Sequence, residues 1–291
     1  MSQRRLVAVD KYVETDEHLM LFNSGDWHYG NLCCERDAID CFVDRVLSYD
    51  GPKAVILQGD LIECIEPSDA RFDWGAVDYT EDGEPIDITS QKNLLISTML
   101  PIAKYIIGYH IGNHEHKMHR QGHRVVSEYA TLMGAMSDGD WNAKYLGYTA
   151  DIKIRLINEK SKKHPFFCVS THGYGGASKR QTKLKKVKDF LLENPFIVDE
   201  GKIHQVQAAY MGHLHDLLHE RVHIDIPHYD VGRKIAMPSY AAVTGHFLNA
   251  SAYNKDSYAI KFGLTPTPIG WIETLIDPEG RVVYVEPFYC C

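Results

Sequence analysis

Five apolar runs punctuate the chain: LMLFNSG at 19–25, KAVILQG at 53–59, KYIIGYHIG at 104–112, FFCVS at 166–170 and VQAAYMG at 206–212. Each stops at a short polar cluster. Runs of this length, apolar at nearly every position, read as strands of a parallel sheet covered on both faces. Between the first two, residues 35–49 place Ile39, Phe42, Val43 and Val46 at helical spacing, one apolar face of a surface helix. Helices are also expected over 91–101 and 122–135, and strands over 19–24, 53–58 and 104–110. YTADIKIRLI at 148–157 and HPFFCVS at 164–170 add two more strands. Residues 66–87 are acidic and rich in turn formers, which predicts a surface insertion. The part from 216 to 291 reads as strand after strand, with LTPTPIG as a linker. No repeat or low-complexity tract divides the chain, so residues 1–291 are expected to form one α/β domain. Alternating strands and helices followed by strands alone fit either one doubly wound sheet or two sheets packed together.

The polar clusters carry the chemistry. In open α/β sheets, ligands bind beyond the carboxyl ends of the strands. The five strand ends would therefore deliver Asp26, His28, Asp60, Asn113, His172, His213 and His215 to one rim. Imidazole suits Zn, Fe or Ni, while carboxylate and amide oxygens suit Mn or Mg, so a mixed set points to divalent transition ions. Seven donors without a cysteine are too many for a closed structural zinc site. Two ions sharing a carboxylate account for the number, with Mn²⁺ the first expectation and Fe, Zn or Ni the alternatives. Pairs of ions roughly 3.5–4 Å apart stabilise in-line displacement at phosphorus, and a water between them becomes a hydroxide nucleophile near neutral pH.

The blocks Asp26-Trp27-His28, Gly59-Asp60-Leu61-Ile62-Glu63, Gly112-Asn113-His114-Glu115, Thr171-His172-Gly173 and Gly212-His213-Leu214-His215 resemble the calcineurin-like metallophosphoesterase superfamily. Its pattern runs D-x-H, G-D-x-x-D, G-N-H-[DE], H, G-H-x-H, and all five blocks stand in that order between positions 26 and 215. The resemblance implies a four-layer α-β-β-α sandwich, two mixed β-sheets flanked by helices. It gives one ion Asp26, His28, Asp60 and His215, and the other Asp60, Asn113, His172 and His213, with Asp60 as the bridge. It makes His114 the group that touches the phosphate and protonates or stabilises the leaving oxygen. One position departs from the pattern: the second acid of the G-D-x-x-D block is Glu63, longer by one methylene. Glu63 and Glu115 are both candidates to hold His114. Protein phosphatases of the superfamily carry arginine straight after that block, where this chain has Cys64, which disfavours them. The HG-x-GG turn followed by a basic segment resembles members found in phage and prophage genomes.

Charge refines the substrate expectation. The net charge of −8 does not describe a protein that coats nucleic acid. Yet residues 178–188, SKRQTKLKKVK, hold no acid and are expected to be helical. Lys179, Arg180, Lys183 and Lys186 could track phosphates beside the metal site, or form the solvated face of a helix with Leu184, Val187 and Leu191 inward. The expected activity is hydrolysis of phosphodiesters, in DNA or other nucleic acid or in nucleotides. A phosphomonoesterase is the alternative, and a non-catalytic scaffold is disfavoured because every ligand position is filled. His110, His116, His119 and His123 are expected on a rim loop and helix start, Tyr29 and Asn31 on the rim, His246 on the surface or satisfied in the core, and Trp27 packed against neighbours. No apolar run approaches the ~18 residues of a membrane span. The short apolar stretch near the start and seven cysteines, odd in number and partly adjacent, fit a reducing cytoplasm.

Overall fold

The computed structural model describes residues 5–13, 17–65, 67, 69, 72–80, 82–120, 122, 124–157, 163–228, 233–249 and 266–290. In chain order the strands begin with β1 (Arg5–Tyr12), β2 (Leu19–Ser24), β3 (Lys53–Leu57), β4 (Ile106–His110), β5 (Lys144–Gly147), β6 (Thr149–Ile157) and β7 (Lys163–Thr171). They continue with β8 (Phe196–Asp199), β9 (Lys202–Gln205), β10 (Ala208–Met211), β11 (Leu217–His228), β12 (Arg233–Thr244), β13 (Gly270–Ile276) and β14 (Val282–Tyr289). The α-helices are α1 (Arg36–Ser48), α2 (Ile88–Met99), α3 (Asn113–Arg120), α4 (Val125–Met136) and α5 (Arg180–Glu193).

Two six-stranded mixed sheets form the centre, in the orders β1-β6-β7-β10-β12-β11 and β14-β13-β2-β3-β4-β5. In the second, β2, β3, β4 and β5 run parallel, with β13 antiparallel to β2. In the first, β7, β10 and β12 run parallel. Four of the five apolar runs thus lie in parallel pairs that end at the same rim, and the fifth, β4, continues the β2-β3 pair.

Successive strand residues face opposite sides of a sheet, and here both sides are buried. Leu19, Leu21, Ala54 and Ile56 pack toward Ile152, Ile154, Phe166, Cys168, Ala208 and Tyr210 of the other sheet. Met20, Phe22, Val55 and Leu57 pack outward on Ile39, Phe42, Leu95, Met99 and Tyr129 of α1, α2 and α4. On the far side Phe167, Val169, Ala209 and Met211 meet Val187, Phe190 and Leu191 of α5. The layers are therefore helices, sheet, sheet, helix: the α-β-β-α sandwich. Continuous apolar strands are required because each of these sheets has no solvated face along its central strands.

Several elements differ from expectation. The helix expected over 122–135 is α4, Val125–Met136, and a further helix that was not expected, α3, precedes it and begins on Asn113 itself. α2 starts three residues early, where Asp87 caps it by accepting from the Ser90 N–H. Strand β1 and the β8–β9 hairpin were not legible in the apolar pattern. The 66–87 insertion is stitched to the body in its described part. The bridge Asn31↔Val77, the Asp78 N–H bond to Gly30 O and the Leu32 N–H bond to Ala76 O anchor it, and a short 3₁₀ turn at Trp74–Ala76 and the bridge Tyr79↔Pro85 shape it internally. Among the described residues no helix is long and apolar enough to cross a membrane.

The outer core has a hub at Phe42. Its ring meets Phe22, Trp27, Phe247 and Trp271 edge-on at 5.1–6.5 Å, tying α1 to two strands and to the loop that carries Asp26. Phe42→Ala should cost about 3–5 kcal/mol through lost burial and the cavity left behind. Urea denaturation followed by fluorescence measures this, and an unchanged midpoint would contradict the hub.

Candidate metal centre

The ligand-bearing loops after β2, β3 and β10 leave their strands through sharp turns. Asp26, His28, Asp60, His213 and His215 all have positive φ, between 46° and 64°. Asp and His tolerate this left-handed region better than most residues, but each such residue still costs on the order of 1–3 kcal/mol, and such strain gathers at functional sites. Close backbone approach accompanies the turns. A Cβ on Gly112 would stand 2.0 Å from Asp60 Oδ1 and 2.2 Å from Asp60 N. A Cβ on Gly59, at φ +87°, would stand 2.5 Å from Gly112 N. Only glycine lets the second and third loops touch.

A buried carboxylate locks that contact. Glu115, on the first turn of α3, accepts from the backbone N–H groups of Asp60 (3.1 Å), Leu61 (2.7 Å) and its own loop's Gly112 (3.0 Å). Its job is to hold the turn that presents Asp60, not to orient His114. Asp60 in turn accepts the His114 N–H at 2.9 Å through Oδ1.

The donors converge in three overlapping groups, each with ligand atoms within 4.8 Å of one another: Asp26/His28/His215, Asp60/His172/His213 and His28/Asp60/His114. In the first, the Nε2 atoms of His28 and His215 face each other at 3.3 Å. Asp26 Oδ1 lies 3.4 Å from His215 Nε2 and 3.9 Å from His28 Nε2. Among the described residues that oxygen has no hydrogen-bond donor and is wholly buried, an expensive state for a carboxylate. In the second group His172 Nε2 stands 3.3 Å from Asp60 Oδ2 and 3.1 Å from Asn113 Oδ1. A bare anionic oxygen facing two imidazole nitrogens, and a second carboxylate common to the other groups, form a donor set that fits divalent cations.

Neighbouring groups fix the rings. His28 Nδ1 bonds Glu63 Oε2 at 2.9 Å, and His172 Nδ1 bonds the Gln58 carbonyl at 2.8 Å. Both bonds place a proton on Nδ1 and turn the Nε2 lone pair inward, the usual arrangement of a metal-ligating histidine. His114 Nδ1 donates to the Glu63 carbonyl at 2.6 Å, whereas the Glu63 carboxylate is 3.8 Å away. Glu63 thus acts on His28 with its side chain and on His114 with its backbone. Electrostatics follow from this crowding. Burial pushes the Asp60 carboxyl up, but His172, His114 and His28 outweigh it and hold Asp60 well below the usual range. Burial pushes His172 down, but Asp60 and Asp26 reverse this and raise it to about 9. Burial, with His172 adding to it, lowers His213 to about 4.

All seven expected ligand residues, together with His114 and Glu63, meet at this rim. The basic segment does not follow. Lys183 is buried, its ammonium bonded to the His215 carbonyl (3.2 Å) and near Asp216 (3.4 Å), so it braces a ligand loop and is not presented to solvent. Lys186 donates to the carbonyls of Tyr174 and Gly175. Arg180 is more than half exposed but bonds Leu217 O and pairs with Asp216; Lys179 is exposed at the start of α5. Other positions also need correction. His110 is no rim residue: it is fully buried at the end of β4, bonded to Gly147 O and Ser170 Oγ, and burial lowers it to about 3. Tyr29 is buried with its hydroxyl on Thr98. His123 lies outside the described residues. Trp27 packs in the core as expected.

Two supports had no signal in the sequence. Gln58 orients His172, and its side chain takes a bond from Ser170. His246, expected at the surface or satisfied in the core, is buried and stacks on His215 at 5.2 Å, while Thr267 links it to the His215 carbonyl. Gln58 and Thr267 were hidden because a bond to a backbone carbonyl carries no residue-type pattern.

Below about pH 9 a cation entering the second group must displace the His172 proton, and above it none is held there. Metal affinity should therefore rise about tenfold per pH unit and level off near 9, because ligands bind deprotonated. Calorimetry in buffers of different ionisation enthalpy should show about one proton released per protein at pH 7; affinity flat from pH 6 to 9 would contradict this.

No family model matches the chain, and no curated protein does either. The crystal structure of the calcineurin-like phosphoesterase YfkN from Bacillus subtilis aligns with 94% of this chain and 90% of its own length, at 12% identity and a TM-score of 0.33. Five ordered blocks meeting on one rim of a two-sheet sandwich carry the resemblance to the calcineurin-like metallophosphoesterase superfamily from the sequence into three dimensions.

Proposed function

We propose that this protein is a metal-dependent phosphoesterase that hydrolyses phosphodiester bonds in nucleotides or nucleic acid. The observation that carries the reading is the convergence of Asp26, His28 and His215 with Asp60, His172 and His213, the two groups drawn together by His28 and Asp60 beside His114. Divalent cations held there, Mn²⁺ by first expectation, would activate water and draw charge from the phosphoryl oxygens. The remaining work belongs to the chain. Asp60 belongs to the second group and, in the third, adjoins His28 of the first; it is the bridging ligand of the reading. His114, its Nδ1 fixed on the Glu63 carbonyl, offers Nε2 to the phosphoryl group and passes a proton to the leaving oxygen. Glu63 keeps His28 in register, and Glu115 keeps Asp60 there.

A diester is favoured over a monoester because it carries one negative charge where the monoester carries two. The amines of Lys183 and Lys186, which could have balanced the second, are committed to backbone carbonyls. The same commitment favours a small substrate over a long polyanion.

The test is a panel of assays on protein reconstituted with Mn²⁺, Fe²⁺, Zn²⁺ or Ni²⁺. It compares bis-p-nitrophenyl phosphate, p-nitrophenyl phosphate, cyclic nucleotides, and single- and double-stranded DNA. Diester turnover well above monoester turnover is expected; the reverse result favours a phosphomonoesterase, and inactivity toward all of them sinks the reading.

Two substitutions probe the roles. Asp60→Asn should lower the content of both ions together, read by elemental analysis; two ions retained with full activity would remove Asp60 as the bridge. His114→Ala should keep its metal and lose roughly 10²–10⁴-fold in kcat with a poor leaving group, the usual contribution of general acid catalysis. The deficit should shrink with nitrophenolate, which needs little protonation. Metal loss in this variant would instead make His114 a ligand, as its grouping with His28 and Asp60 permits.

A further inference from the structure

At the end of the sandwich opposite the ligand rim lies a cavity of about 270 Å³, between the edge strand β1 and the starts of β4 and β5. β6 runs antiparallel to β7, β1 parallel to β6, and β5 parallel to β4. Lys11 near the end of β1 and Lys144 at the start of β5 therefore both stand away from the rim. Ile106, in the cavity wall, is roughly 15 Å along β4 from the turn that carries Asn113, at ~3.3 Å per residue. The cavity is separate from the metal centre.

Here the inner face of each sheet ends in a lysine. Side chains alternate along a strand. In β1, Val7 and Val9 face the core between the sheets, and Lys11 continues their row, half-buried where Ala8, Asp10 and Tyr12 are exposed. In β5, Leu146 faces the same core, and Lys144 stands two residues before it. Both lysines line the cavity, and Lys104 joins them from the 3₁₀ turn Leu100–Tyr105 that precedes β4. Three ammonium groups from three elements share one small space, where like charges repel. Burial adds to the cost: it pushes the Lys11 ammonium below its ordinary value, with no acid acting against it.

The wall offers no counter-charge. Among the described residues that line the cavity one is an acid, Asp10, and it is paired with Arg155. Asn142 gives its amide N–H to the Gly139 carbonyl. Lys104 rests over the Tyr105 ring at 5.2 Å. Among the described residues no hydrogen bond or ion pair engages the ammonium of Lys11, Lys104 or Lys144.

A compact anion with two or more charges would relieve this repulsion. A planar carboxylate is matched best by the fork of an arginine, and the arginine here is committed to Asp10. Lysine is a point charge with rotatable donors, which suits the tetrahedral oxygens of phosphate. The volume falls below the roughly 300–1,000 Å³ of pockets for drug-sized ligands, which favours a small ligand over a polymer.

We infer that this cavity is a second anion site, in which Lys11, Lys104 and Lys144 bind a phosphate dianion, free or carried by a small phosphomonoester. The site stands apart from whatever the metal centre hydrolyses.

Titration calorimetry with inorganic phosphate, on metal-loaded full-length protein at constant ionic strength, tests it. Phosphate bound at the metal centre is common to parent and variants, so Lys11→Met and Lys144→Met, which keep an apolar stem and lose the charge, isolate the cavity. The parent should show a site whose affinity falls about tenfold or more in either variant, the order of one charged hydrogen bond lost. Without phosphate both variants should melt at or above the parent, because a repulsion has been removed. Lys104→Met, at an exposed position, repeats the measurement where packing is not at stake. Ribose 5-phosphate against inorganic phosphate separates the two sources, and the tighter binder names the ligand. No phosphate binding by the parent, or the same affinity in the parent and all three variants, overturns the site. Citrate bound there more tightly than either phosphate overturns its chemical class.

Discussion

The Glu115 carboxylate, buried and ringed by backbone N–H groups from two different loops, is the interaction on which the site depends. Burial, with the Asp60 charge adding to it, raises the Glu115 carboxyl to about 7, and the hydrogen bonds it accepts offset part of the cost of holding it in the interior. Here the donors are the very amides that a left-handed turn at Asp60 leaves without strand partners. One side chain thus satisfies the turn, pulls the third loop against the second, and starts α3 with an acid in its first turn, where the helix dipole favours it. Asp60 and His114 reach the rim as a result. Glycines at 59 and 112 make the approach sterically possible, but they do not by themselves draw the loops together.

The strain carried by five ligand residues has a complementary origin. Left-handed turns at Asp26, His28, Asp60, His213 and His215 aim side chains across the strand ends instead of along them. The surrounding structure keeps them there: Asp26 N bonds Gly59 O, His28 N bonds Asp60 O, and His213 N bonds Asp26 Oδ2. Each block is held by the next, so the polar clusters act as one object although they are scattered over 190 positions of sequence between 26 and 215.

How much of this was legible depends on what a residue reports. The central strands were readable because burial on both faces leaves an unbroken apolar run, and the ligands because Asp and His at five successive strand ends have few other uses. Strand β1 was not, since at the sheet edge it shows alternate residues to solvent. Helix α3 was not, because NHEHKMHR has almost no apolar face; it is helical through its place beneath the rim and not through periodicity. The basic segment misled in one position. Helical spacing put Leu184 inward, yet Lys183 is the buried residue and Leu184 only half so, because the His215 carbonyl and Asp216 offer acceptors that an apolar stripe cannot announce. The Glu63 assignment was half legible: the acid is beside the ligands, but its longer side chain reaches His28 and leaves His114 to its carbonyl.

Both principal donor groups draw from the two sheets at once. Asp26 and His28 follow β2 and Asp60 follows β3, in one sheet, while His172 follows β7 and His213 and His215 follow β10, in the other. Stacked sheets are held mainly by non-directional apolar contact, which on its own resists sliding only weakly. A slip of one residue, about 3.3 Å along a strand, would separate both of these trios. The rim therefore works as a vernier between the layers: it sets their relative alignment more finely than the greasy interior could, and any change that loosens the core is felt first as a mismatch of donor atoms at the edge.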